Sequence, residues 1–308
     1  MKNYLIELFD ICEYPEQAKI SLLADFDKIT ANSTAKTMLE KWIDKYDQTI
    51  DCDFIQMGQD AKEIAKLVDI HEFSAIFLAY ACLTKRLKIV YNEKNMTEQN
   101  WLDCVLDLKW KLLECFNIKK IWGTSVGDWF GDWFAFKRFA FGRLQYEIID
   151  LSFFVEDIKD FVLDGVLING KTKVLSVHIP RDLTPLSQSK CDQSFEIASQ
   201  FFTKRFGFEN IIFACRSWML YQPLVDALSD KSNTKKFVKR FYKLLDIERE
   251  KGHRPEVERV FDTEWTGSVD NLPENNFMQK TVKEHIKNGG KSGYGVGIFV
   301  YNNAMKGE

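Results

Sequence analysis

The sequence predicts an all-helical N-terminal domain followed by a mixed-sheet α/β domain. Three observations carry that expectation. The first ~120 residues place apolar side chains at helical spacing, with no strand-like alternation before about residue 142. A passage crowded with aromatic residues follows. From Arg143 onward, short apolar and β-branched runs alternate with helical patterns, the order expected of an α/β unit.

The helical half is read segment by segment. Pro15–Ile29, then Ser33–Tyr46 with a Ser33/Thr34 N-cap, then Asp60–Val68 all show helical periodicity. Glu72–Leu87 and Glu98–Phe116 are longer. In the last, Trp101, Val105, Leu108, Leu112 and Cys115 form one apolar stripe, with Asp103, Asp107, Lys111 and Glu114 off it. Between Ile118 and Phe141, eight Trp and Phe residues run from Trp122 to Phe141. Such a cluster suits the seam between two domains better than a cofactor site. The expected boundary is residues 1–125 for the helical domain and 126–308 for the α/β domain.

In the second half, Asn169-Gly170 between Val166–Ile168 and Thr172–Leu175 has the form of a two-residue hairpin. A strand (Val174–Ile179), a helix (Ser189–Phe206) and a strand (Ile211–Ser217) follow. Next come a short helix near Pro223–Leu228, strand-like Phe237–Leu245 and Val257–Asp262, a helix over Glu274–Asn288 and a last strand at Tyr294–Tyr301. Phe237–Leu245 also fits helical spacing. Gly293, Gly295 and Gly297 leave one face of the last strand bare, so something packs on its backbone, a helix before a ligand.

Composition excludes several functions. The 308 residues are 45% hydrophobic with a net charge of −3. Charge is evenly spread, 16 basic and 20 acidic side chains falling in residues 1–120. Neither half has the basic excess of a nucleic-acid binder. No signal peptide or membrane-length apolar run is read, so a cytoplasmic protein with no membrane partner is expected. Seven scattered cysteines without a C-x-x-C pair argue against a disulfide framework or zinc site. Histidines 71, 178, 253 and 285 are too widely spaced for a histidine-based metal site. Gly289-Gly290-Lys291-Ser292 imitates the end of a P-loop but lacks its first glycine, His285 standing there.

The informative stretch is Lys173–Phe206. A strand–helix–strand unit must pair its strands in parallel, so both carboxyl ends lie at one sheet edge. His178 leaves the first strand there, and Cys215, Arg216 and Ser217 leave the second. An imidazole beside a thiol, a guanidinium and a hydroxyl suits acid–base work and anion binding. The loop Arg181–Ser187 precedes a helix N-terminus, where amides near Leu186 and Ser187 and the Arg181 charge would seat a phosphate. The alternative reading is structural: His178 fixed in backbone hydrogen bonds, Arg216 paired to a carboxylate, and an ordinary capped helix.

Several segments together carry a resemblance. They are Phe141-Gly142-Arg143-Leu144-Gln145-Tyr146-Glu147, Val177-His178-Ile179-Pro180, Cys191-Asp192-Gln193-Ser194 with Phe201-Phe202, Cys215-x-Ser217-Trp218-Met219-Leu220, Ser232-Asn233 and the Gly289–Gly297 tail. The chain resembles bacterial acyltransferase-like proteins that join a helical N-terminal domain to a GNAT-like C-terminal domain. The resemblance implies transfer of an acyl group from acetyl-CoA or another acyl-CoA to a small amine or peptide amine. It implies Glu147 or His178 as the base, and Ser217 or Cys215 near the thioester. Ile179, Arg181, Thr184, Leu186, Ser187 and Arg216 are the expected CoA-binding residues. The GNAT loop usually reads R/Q-x-x-G-x-G/A; here it is Arg181-Asp182-Leu183-Thr184-Pro185-Leu186, without glycine. A GNAT-derived binding scaffold without catalysis is the alternative, and a Cys215–His178 hydrolase a third. Oligomeric state stays open, a homodimer included.

Overall fold

The computed structural model describes residues 1–182, 184–249, 252 and 254–301. Leu183, from the loop expected to seat a phosphate, and His253 lie outside the described residues. The chain divides into two compact units, Met1–Ala140 and a second from Phe141 onward.

The first unit is helical: α1 (Lys2–Ile11), α2 (Glu16–Ala31), α3 (Ser33–Gln48), α4 (Phe54–Val68), α5 (Glu72–Glu93), α6 (Glu98–Lys119) and α7 (Gly127–Phe134). Asn32, one residue before the expected Ser33/Thr34 cap, accepts the Ala35 N–H and makes Ser33 the first helical residue. Thr97 and Asn100 close α6 with a reciprocal capping box. Helix α1 lies inside the stretch read as helical, without bounds of its own, and α7 beyond it escaped because its apolar pattern is short. Helix α5 is buried along nearly its whole middle, from Ser74 to Thr84. It therefore forms the centre of this unit. Gly123 lies flat on the start of α5, where an added Cβ would overlap the Phe73 carbonyl. That approach lets the Thr124 N–H reach Phe73 O at 3.0 Å.

The aromatic passage feeds two cores. Phe130 and Phe134 of α7 pack on Tyr80, and Phe134 also on Tyr46 and Phe54, all inside the helical unit. Phe141 instead joins Tyr146, Phe201 and Phe202 in the second unit.

The second unit carries a six-stranded sheet, of whose first strand only Phe141 falls within that unit. In chain order its strands are β1 (Arg138–Phe141), β2 (Leu144–Asp150), β5 (Lys173–His178), β6 (Ile211–Ser217), β7 (Tyr242–Glu248) and β8 (Gly293–Tyr301), arranged β1-β2-β5-β6-β8-β7. A separate ribbon pairs β3 (Phe161–Leu163) with β4 (Val166–Ile168). The β5–β6 pair is parallel, joined by helix α8 (Gln188–Phe206); the other ladders described here are antiparallel. Four short helices complete the unit: α9 (Gln222–Ala227), α10 (Asn233–Val238), α11 (Pro255–Phe261) and α12 (Phe277–Lys287).

Three expectations change. The hairpin turns at Asp164-Gly165, where both residues have positive φ, while Asn169–Thr172 is a turn leading into β5. Both dipeptides suit such turns, and β5 finds its partner in β2 because the longer ladder buries Val174, Leu175 and Val177. Phe237–Leu245 splits between α10 and β7. Val257–Asp262 is helix α11, whose Val257 and Phe261 point one apolar stripe at Tyr221, Leu224 and Val282.

Strand alternation gives the sheet two distinct faces. Tyr146, Phe213 and Phe299 pack on Phe195, which sets the α8 face. Val174, Ile212, Ala214, Ile298 and Val300 join Leu151 and Ile168 on the other. Ser194 ties α8 to the sheet: it meets the Tyr146 hydroxyl at 2.8 Å, accepts the Leu144 N–H at 3.2 Å and donates to the Phe141 carbonyl. The bare face of β8 is filled by the 3-10 turn Trp218–Leu220, whose Leu220 backbone lies where a Gly295 side chain would be.

Candidate active site

The site begins with register. Gln145 lies opposite His178 and Glu147 opposite Ser176, so these four side chains share the face opposite α8. His178 Nε2 is 2.8 Å from Glu147 Oε1, and Ser176 Oγ is 3.3 Å from the same nitrogen. Both members of the pair are partly buried, His178 with 22% and Glu147 with 15% of its side chain exposed. A carboxylate held against an imidazole can accept a proton from a bound nucleophile and share it across that bond.

The parallel ladder ends beside them. The register of β5 and β6 covers Leu175↔Phe213 and Ser176↔Ala214, though β5 continues to His178 and β6 to Ser217. The β5–β6 pairing ends at Ser176↔Ala214, short of the last residues of both strands. Arg216 projects from β6 on the His178 face, two residues past Ala214 as His178 is two past Ser176. Cys215 and Ser217 project to the α8 face. The structure thus brings His178 and Glu147 together and keeps Cys215 away from them. Cys215 is 1% exposed, and burial pushes its thiol up to about 12. A Cys215–His178 nucleophile pair, the third reading of the sequence, has no geometric basis. Ser217 Oγ accepts the Met219 N–H at 3.2 Å, capping the 3-10 turn and leaving its own proton available to donate.

The loop after β5 is organised by Arg143, a residue the sequence reading quoted but did not assign. Gly142, at φ 63°, turns the chain between β1 and β2 and delivers Arg143. Its guanidinium donates to Pro180 O at 3.0 Å and Thr184 O at 3.3 Å, and pairs with Asp182 at 3.4 Å. Burial lowers its pKa, with Asp182 acting in the opposite direction. Asp182 also accepts the Thr184 N–H at 3.0 Å, so that amide is engaged within the loop. Arg181 pairs with Asp262 at the end of α11, and Leu186 is buried. Ser187 is the N-cap residue of α8, and its side chain makes no capping hydrogen bond. The first-turn amides of α8 keep the anion-binding character of a helix N-terminus. Arg143 carried a signal in sequence, an arginine directly after a turn glycine. Its two carbonyl partners are 37 and 41 residues away and carried none.

Residues 139–299, just over half of the chain, match the model of the family described as GNAT-like C-terminal domain. Among solved structures, the fold is similar to an acyltransferase in complex with decanoyl-CoA and teicoplanin (TM-score 0.71, 16% identity, 96% of this chain and 87% of that one). It is also similar to an acyltransferase in complex with CoA and 10C-teicoplanin (TM-score 0.69, 17% identity, 95% and 86%). No match is found among curated proteins. Among the described residues, no helix is long and apolar enough to cross a membrane, and no His/Cys/Asp/Glu group could hold a metal. The family match over more than half of the chain, on a mixed sheet whose β5–β6 step is parallel, leads to one assignment: the chain belongs to the GNAT-like C-terminal domain family.

Proposed function

We propose that this protein transfers an acyl group from an acyl-CoA to an amine. The observation that carries the reading is the Glu147–His178 hydrogen bond beside the point where the β5–β6 ladder ends. Support comes from the family and from similar folds crystallised with CoA, octanoyl-CoA and decanoyl-CoA.

The acyl-CoA is a substrate, entering from the α8 face. Its diphosphate sits on the open amides from Leu186 and Ser187 into the first turn of α8. Thr184 shapes that loop, and Arg181 contributes positive potential although Asp262 holds it. The thioester carbonyl lies at the end of the β5–β6 ladder near the Ile179 N–H. The amine approaches from the opposite face and attacks the carbonyl carbon, forming the C–N bond. Its proton passes to His178, whose imidazole Glu147 orients and stabilises. The C–S bond breaks, and Ser217 supplies a hydrogen bond to the leaving thiolate. Transfer is direct, with no acyl-cysteine, since Cys215 stays a buried thiol at neutral pH. The carboxylate–imidazole pair beside the end of the β5–β6 ladder favours catalysis over binding alone.

The test has two readouts. Thermal stability is followed with acetyl-, octanoyl- and decanoyl-CoA; a donor at 100 Kd should add about 2.7 kcal/mol. Thiol release is followed with a panel of primary amines. Stabilisation and amine-dependent release are expected. No stabilisation by any donor removes the reading, and stabilisation without release reduces the protein to a CoA-binding scaffold.

A further inference from the structure

We infer that the amine acceptor carries an anionic group, a carboxylate or a phosphate, held by Arg216 and Arg249 against Tyr294. The inference rests on the acyl-transfer reading for the word acceptor, and on geometry for the anion site.

Arg216 is exposed on β6, on the sheet face that carries His178, two residues past Ala214 as His178 is two past Ser176. On β8, Val296 lies opposite Arg216, and Tyr294 follows two residues along on the same face. On β7, Ile247 lies opposite Tyr294, and Arg249 comes just past the strand end, its N–H on Ser292 O at 2.8 Å. Two guanidiniums therefore converge on one ring. Arg216 Cζ is 5.8 Å and Arg249 Cζ 4.8 Å from the Tyr294 centroid, and Arg249 Nη2 reaches the Tyr294 hydroxyl at 3.4 Å. Arg259 of α11 lies within electrostatic reach of the same phenol.

Among the described residues, neither Arg216 nor Arg249 has a carboxylate partner. Of the described acids near Arg249 in the chain, Glu248 holds Lys291, and Glu256 holds Arg254 and the Ser292 hydroxyl, while Glu250 lies outside the described residues. Two like charges gathered on one ring, with no carboxylate partner among the described residues, repel each other. An anion between them relieves that repulsion and accepts the paired N–H donors that guanidinium presents to carboxylate or phosphate. An acceptor anchored there has its amine directed along that face toward Glu147 and His178.

Matched acceptors test this: β-alanine against β-alaninamide, and phosphoethanolamine against ethanolamine, with octanoyl-CoA as donor. The wild-type protein should prefer the anionic member by at least tenfold in kcat/KM, and the pair preferred more strongly identifies carboxylate or phosphate. Arg216→Ala and Arg249→Ala should each raise KM for that member about tenfold and collapse its preference over the neutral member. Arg216→Lys should restore part of the preference. Calorimetric binding of the same four amines is measured on wild type and on the double alanine variant. Anion-dependent binding that the variant loses supports the subsite even where no amine is acylated, an outcome that would sink the acyl-transfer reading instead. Equal rates or equal binding for charged and neutral members, or variants that leave the ratio intact, overturn the inference.

Discussion

His178 on β5 and Glu147 on β2 meet at 2.8 Å although the ladder does not place them opposite each other; they are diagonal neighbours on one face. That diagonal lets an imidazole from a strand's end lean back onto a carboxylate further inside the sheet. If the pair carries proton transfer, His178→Ala and Glu147→Gln should each lower kcat for amine acylation by about 10²–10⁴-fold. The acyl-CoA-induced rise in Tm should stay. Loss of that rise in both variants would show the pair to be structural.

Arg143→Ala should be costly for the loop and for donor binding. It removes the donors to Pro180 O and Thr184 O and leaves Asp182 without its partly buried counter-charge. A destabilisation of about 3 kcal/mol in urea unfolding is expected, with a raised KM for the acyl-CoA. Arg143→Lys should recover the charge and lose the fork geometry, giving an intermediate value. A variant as stable as wild type would show that the loop holds without it.

Gly295→Ala should be among the most damaging single substitutions in the second unit. The added Cβ overlaps the Leu220 backbone, which cannot give way as a side-chain tip would. A loss of about 3 kcal/mol or more, read as a fall in Tm, is expected. Gly207→Ala, at φ 71° and with open space around its Cβ, should cost only about 1 kcal/mol. Equal effects at the two glycines would refute the close-packing account.

Alkaline pH should unfold the protein earlier than neutral pH. Burial holds the Cys82 and Cys215 thiols at about 12, above their ordinary 9.0. The unfolded chain sheds these protons above pH 9, while the folded chain retains them. The stability they contribute is complete below pH 9 and is lost as pH rises toward 12, at ~1.4 kcal/mol per pH unit for each thiol. Tyr14 and Tyr146, pushed up by burial, add to the loss above pH 10. Urea midpoints between pH 7 and 10.5 check this, and a flat profile above pH 9 contradicts it.

Element identity was legible wherever periodicity was long. Helices α2 to α6 and α8, and strands β5, β6 and β8, follow from apolar spacing because burying one face repeats the pattern many times. It failed where few residues vote: α11 at seven residues looked like a strand, and two adjacent Asx-Gly turns competed for one hairpin.

For the candidate site, the sequence alone determined that His178, Cys215, Arg216 and Ser217 gather at one sheet edge. A crossover helix forces parallel strands, and parallel strands end together. Tertiary structure decided which of them face each other. The β2–β5 register put Glu147 on His178, strand alternation turned Cys215 and Ser217 to the α8 face, and Tyr294 gathered Arg216 with Arg249. Register depends on partners tens of residues away. A shift of one residue would exchange the two faces, so no local stretch of sequence encodes it.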